Sequence, residues 1–191
     1  MDLPLGCMTR PYNTFPFERA LAGIAAAGFT ELVVLQRQPP HAITAETSPE
    51  DAARTKATIA QHGLRLTMLS SSLSLDSGDN EAEARGRTLI DHAATLHVPY
   101  LIEMGAHKPE QYERYLGLMR RLAPYAQERG VTIAVKPHGG ITTTAEDCLT
   151  TLRAVDHQGY RLCFDPGNLL YYANERPEAR LAELAPYTVA M

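Results

Sequence analysis

Apolar positions along this chain fall into two alternating kinds of run. Short, nearly unbroken ones read as buried strands: ELVVLQ (31–36), LRLTMLS (64–70), VPYLIEM (98–104), VTIAV (131–135) and YRLCF (160–164). LPLGCM (3–8) and YTVAM (187–191) are weaker runs of the same kind. Between them the apolar residues recur at helical spacing. FERALAGIAAAG (17–28) closes on Gly28, and SPEDAARTKATIAQHG (48–63) opens with Ser48 as N-cap, Pro49 at the first helical position and an acidic first turn. Further helices are predicted over 80–97, over 109–130 with a kink at Pro124, near 144–156 and near 177–185. Gly28, Gly63 and Gly130 stand just before strands, where a helix-to-strand turn needs positive φ.

The pattern is six β-α units and a seventh strand. Continuous apolar strands alternating with helices imply a parallel sheet covered by helices, either an open doubly wound sheet or a (β/α)8 TIM barrel. The doubly wound form usually carries a glycine-rich phosphate loop after its first strand. Here the first strand runs into TRPYNTFPFE, with no GxGxxG. Each unit takes about 30 residues, and a full barrel about 250. At 191 residues the chain reads as one domain spanning 1–191, an α/β TIM barrel that is incomplete by its last one to two β-α units.

Composition removes several classes of function. The formal net charge is −4 and no Lys/Arg cluster is present, so a nucleic-acid surface has no basic footprint to rest on. Cys7, Cys148 and Cys163 form neither a disulfide framework nor a CxxC metal knuckle, which points to a reduced, cytoplasmic setting. The start MDLPLGCMTRP lacks the basic and apolar regions of a signal peptide, and no apolar run approaches membrane-spanning length.

Candidate chemistry gathers where strands end in charge. VTIAV finishes on Lys136 and then Pro-His-Gly-Gly; YRLCF finishes on Asp165 and then Pro-Gly-Asn. In a barrel these ends share the C-terminal rim with Cys7/Met8, Gln36, Ser70 and Glu103. Arg10, just after the first strand, points to the same face and would hold a carboxylate or phosphate, or else make a surface ion pair. Cys163 reads as core packing, and His62, His92 and His157 as surface or capping residues. Tyr171 and Tyr172 follow the Asp165 turn as pocket wall or as plain packing.

LGCMTRPYNTFPFERALAGIAAAGF, KPHGG and LCFDPGN together resemble the xylose-isomerase-like barrel superfamily, which groups sugar isomerases and epimerases, hydroxypyruvate isomerase and apurinic endonucleases. The resemblance covers the chain through its sixth strand, and it implies that relatives run on past YTVAM through a further strand end and β-α unit, so the chain is expected to be a partial copy cut at Met191. It also implies a divalent metal (Mn, Mg or Zn) held by a strand-five Glu, a strand-six Asp with a His three residues on, and two later ligands. Here the strand-five position is Lys136, Asp165 is the metal-ligand position that is kept, and Asn168 stands where the His would be. His138 matches the histidine that touches substrate in relatives.

On this basis Lys136, Glu103 and His138 are the candidate catalytic residues, and Arg10, Asn168 and Tyr171 the candidate substrate-binding ones. A fixed ammonium between Asp165 and Glu103 would take over a metal's electrostatic role and stabilise an enediolate oxygen, while Glu103 or His138 moves the proton. The expected activity is a sugar, sugar-phosphate or keto-acid isomerase or epimerase working on a small carbohydrate, without nucleic acid or membrane. The alternative is a carbohydrate-binding barrel that has lost its metal site and catalysis, with Lys136–Asp165 as a structural ion pair.

Overall fold

The computed structural model describes residues 4–35, 43–71, 73 and 75–191. Strands and helices alternate: β1 (Gly6–Met8), α1 (Phe17–Ala26), β2 (Glu31–Val34), α2 (Pro49–Gln61), β3 (Arg65–Ser70), α3 (Asp79–Thr95) and β4 (Tyr100–Glu103). The order continues with α4 (Tyr112–Glu128), β5 (Thr132–Val135), α5 (Ala145–Val155), β6 (Tyr160–Cys163), α6 (Pro166–Ala173), α7 (Pro177–Leu184) and β7 (Thr188–Ala190). Neighbours in sequence are neighbours in space, and every pairing is parallel, from β1–β2 through β6–β7. A doubly wound sheet would reverse its strand order at a switch point. This one never reverses, so its twist curls it into a half-barrel of seven strands, an incomplete TIM barrel with β1 and β7 at its margins.

Local sequence explains several element ends. The Ser48 side chain accepts from Asp51 N–H at the start of α2, and Thr144 with Asp147 makes a reciprocal capping box on α5. Gly28, Gly63 and Gly130 all take positive φ at the helix-to-strand turns. Pro124 lies within α4, which continues through it to Glu128. One helix was not foreseen. Asp165 accepts from Asn168 N–H as the N-cap of α6, with Pro166 at the first helical position. Gln36, expected at the rim, lies outside the described residues.

Period-two alternation splits the strands between two cores. Leu32, Leu69, Leu101, Ile133, Val135, Leu162 and Phe164 pack outward with the helices in the larger one. Ile102, Ala134 and Cys163 turn inward and meet Met68, Met104 and Val189 in a small lumen floor. No helix among the described residues is long and apolar enough to cross a membrane.

Candidate active site at the strand ends

The lumen floor fixes what stands above it. Lys136 is two residues beyond Ala134 and Asp165 two beyond Cys163, so both side chains emerge on the inner face at the C-terminal ends of β5 and β6. Lys136 Nζ lies 2.7 Å from Asp165 Oδ2. The lysine side chain is only 10% exposed and the aspartate 29%, so the pair is largely taken out of water. Asp165 Oδ1 meanwhile accepts from Asn168 N–H at 2.9 Å. One carboxylate thus caps α6 with one oxygen and holds the ammonium with the other.

The loop after Lys136 is held rigid. Gly139 and Gly140 have φ of +84° and +59°, and Thr142, fully buried, fills the turn. Thr142 Oγ1 donates within the turn, 3.1 Å from Lys136 O and 3.3 Å from Gly139 O, and accepts from His138 N–H at 3.3 Å. Asn168 Nδ2 donates to Pro137 O at 2.6 Å, tying this loop to the start of α6. The Asn168 amide therefore braces the site.

His138 projects from this loop between two rings. His107 packs edge-on with centroids 5.4 Å apart, and Tyr172 lies tilted at 5.4 Å on the other side. The Nδ1 of His138 is buried without a hydrogen-bond partner. Burial lowers the pKa of His138 below its ordinary value, and the charges of Lys136, His107 and Arg10 lower it further against the opposing pull of Asp165. It is the neutral imidazole at pH 7. Arg10, exposed at the start of the Arg10–Tyr12 turn, is near enough for its charge to be felt there.

The expected site residues separate into two groups. Lys136, His138, Asp165 and Asn168 converge, and the charge of Arg10 is felt at His138. Glu103 does not join them. It pairs in register with the outward Val135, and its side chain enters the layer between sheet and helices. There Ser71 Oγ donates to Glu103 Oε2, and Gly105 N–H to Oε1 at 3.2 Å. Burial pushes its pKa up to about 7, and its charge is felt by the hydrogen-bonded Tyr115 and Tyr160. Tyr171 is 80% exposed and meets the ring of Tyr172, whereas Tyr172 is the tyrosine that touches His138. His107 and Thr142 were not anticipated.

Cys163 is buried with its pKa pushed up to about 11 by desolvation, as a core thiol should be. His62 and His157 bond to nearby backbone, at Thr58 O and Gly159 N–H, while His92, expected at the surface, is buried.

The donor set does not fit a divalent metal. Among the described residues no group of three or more His, Cys, Asp or Glu side chains converges. The Lys136 ammonium sits against the Asp165 carboxylate, where it would repel a cation.

A curled parallel sheet with charged side chains converging at its C-terminal strand ends defines a barrel of the TIM class, with the candidate site at the rim where this fold usually carries one. Residues 21–191 match the family model described as xylose isomerase-like TIM barrel, and the chain belongs to that family. The fold resembles a xylose isomerase domain protein from Planctomyces limnophilus (TM-score 0.70, 17% identity, 89% of this chain and 66% of that one). It also resembles the probable 3-DHS dehydratase AsbF from Bacillus anthracis (TM-score 0.78, 15% identity, 97% and 71%). A third likeness is to D-allulose 3-epimerase from Methylomonas sp. (TM-score 0.72, 20% identity, 97% and 70%). The chain therefore spans about two thirds of the length of these proteins, and at such identities the likeness concerns the fold. Comparison with curated proteins finds no match.

Proposed function

We propose that the rim site acts on a small carbohydrate by proton transfer next to a carbonyl, as an isomerase or epimerase. The observation that carries this is the Lys136–Asp165 pair, 2.7 Å apart on the lumen face, with a neutral imidazole beside it. In this reading Lys136 faces the substrate carbonyl and stabilises the enediolate oxygen, which a fixed ammonium in a largely dehydrated pocket does well. His138 carries the proton to and from the adjacent carbon, Asp165 aims the ammonium, and Arg10 meets the distal end of the substrate. Structural likeness to an epimerase supports the reading without naming the sugar.

A second reading is favoured by two observations. Glu103, an expected proton carrier, lies on the far face of the sheet, and Asn168 is spent on bracing. That leaves a carbohydrate-binding barrel without turnover.

Deuterium exchange at C1 or C2 of a panel of keto and aldo sugars, followed by NMR in D2O, separates the two. Exchange that is lost in Lys136→Met supports catalysis. Saturable binding of a sugar with no exchange supports the second reading.

A further inference from the structure

Lysine is scarce in this chain, and where it occurs is informative. Only Lys56, Lys108 and Lys136 appear among eighteen basic residues. Apart from Lys136–Asp165 and an exposed contact of 3.9 Å between Lys108 and Asp76, every ion pair among the described residues is made by arginine. Arginine is also the better partner for a largely buried carboxylate, because its planar fork bonds both oxygens and sheds water more easily. A chain that relies on arginine nearly everywhere nevertheless places a lysine at the rim. What lysine offers and arginine does not is a primary amine able to form a covalent bond to carbon.

We infer that Lys136 forms an imine with the carbonyl of its substrate, a short open-chain hydroxyaldehyde or hydroxyketone; this rests on the site assignment above and puts a covalent bond in place of the ammonium–enediolate contact. The lumen-facing Nζ stands over an apolar floor of Ile102, Ala134 and Cys163. His138, two residues on in the same loop and held between His107 and Tyr172, is the proton carrier for the adjacent carbon. The ammonium first gives a proton to Asp165, 2.7 Å away. The free amine attacks the carbonyl carbon, forming the C–N bond while the π pair moves to oxygen, which takes that proton back. The carbinolamine hydroxyl then leaves as water with a second nitrogen proton. The outcome is a protonated imine and one water from an ammonium and a carbonyl, with no change in charge and no co-reactant. Asp165, 2.7 Å from Nζ, is the counter-ion before and after, so the ion pair survives the step. The iminium then withdraws electrons from the adjacent C–H, whose proton passes to the His138 imidazole to give an enamine. Reprotonation and attack by water release product and amine. The lysine thus acts as a nucleophile whose iminium becomes the electron sink, at a rim whose donor set does not fit a metal.

Reductive trapping tests this on the whole chain. The protein is incubated separately with dihydroxyacetone, D-erythrulose and hydroxypyruvate in sodium cyanoborohydride, digested at arginine, and the adducts on each lysine are quantified by mass. Lys56, whose Nζ bonds Leu96 O, and Lys108, with its exposed side chain, are internal standards. The expected result is at least five-fold more adduct on Lys136 than on either standard with one of the three probes, despite its burial. A smaller ratio with all three overturns the inference. Deuterium exchange without the adduct would leave the proton-transfer reading standing and remove the imine. Adduct without exchange would do the reverse.

Discussion

Lys136 N–H donates to Glu103 O at 2.9 Å across the β4–β5 ladder, yet the two side chains leave that ladder on opposite faces. One enters the lumen above Ala134; the other enters the helix layer beside Tyr115 and Tyr160. The rim residue and the buried acid are adjacent in the sheet and belong to different environments, which separates their consequences.

Glu103 controls stability as a function of pH. Its folded pKa, about 7, lies above the 4.5 that an unfolded chain would show, mainly because burial penalises the charge. Between those values the folded form binds more protons than the unfolded form, so stability falls as pH rises. The contribution is fully present below pH 4.5 and is lost as pH passes 7; its size is about 3 kcal/mol. Glu103→Gln keeps an acceptor for Ser71 and removes the titration. Denaturant unfolding at pH 5 and pH 8 should show the wild type losing stability relative to this variant. Parallel pH profiles would refute the assignment.

The parity of strand β4 is where sequence reading stopped short. Lys136 and Asp165 were legible as rim partners because each ends an apolar strand and is followed by tight-turn residues. Glu103 also ends its strand, but which face a strand-end residue takes depends on a register offset of a single position. Only the pairing of Glu103 with Val135, not Lys136, reveals it. The α6 helix was legible in principle, since Asp165-Pro166 is an N-cap followed by a first-turn proline. His107 carried no signal in sequence, because its place beside His138 is set by the close approach of two loops.

Asp165 performs two tasks that substitution separates. Asp165→Asn retains a side-chain oxygen for the α6 cap but leaves Lys136 without its counter-charge. Breaking a buried pair costs about 3–5 kcal/mol, and since Asp165 is 29% exposed the expected loss here is smaller, about 2 kcal/mol. Asp165→Ala should cost about 1 kcal/mol more, from the lost cap. Adding Lys136→Met to Asp165→Asn should restore most of the first loss. Thermal and urea unfolding of the four variants checks this, and full additivity of the two single changes would contradict a coupled pair.

Gly140 sets the path of the loop that carries His138. A Cβ there would lie 2.1 Å from Ala106 O, on backbone that cannot swing aside, and φ is +59°. Gly140→Ala should therefore cost about 3 kcal/mol or more. Gly28→Ala is the control, having positive φ but nothing within 4 Å, and should cost about 1 kcal/mol. If the two melt alike, the close approach of the two loops is not the constraint.

His138 reports the electrostatics of the rim directly. Desolvation is the leading cause of its lowered pKa, followed by the positive charges of Lys136, His107 and Arg10, with Asp165 pulling the other way. Lys136→Met keeps the burial and removes the largest of those charge effects, so the His138 pKa should rise. Asp165→Asn removes the one favourable charge, so it should fall. In the proposed mechanism the neutral imidazole takes the substrate proton, so the acid limb of the rate profile should lie below the ordinary histidine value of 6.5 and move up in any active variant that raises this pKa. NMR titration of the imidazole C–H resonances follows each shift without needing turnover. A His138 that titrates at the same pH in the wild type and in Lys136→Met would mean that the ammonium does not act on it, and the proposed sharing of work between the two would fail.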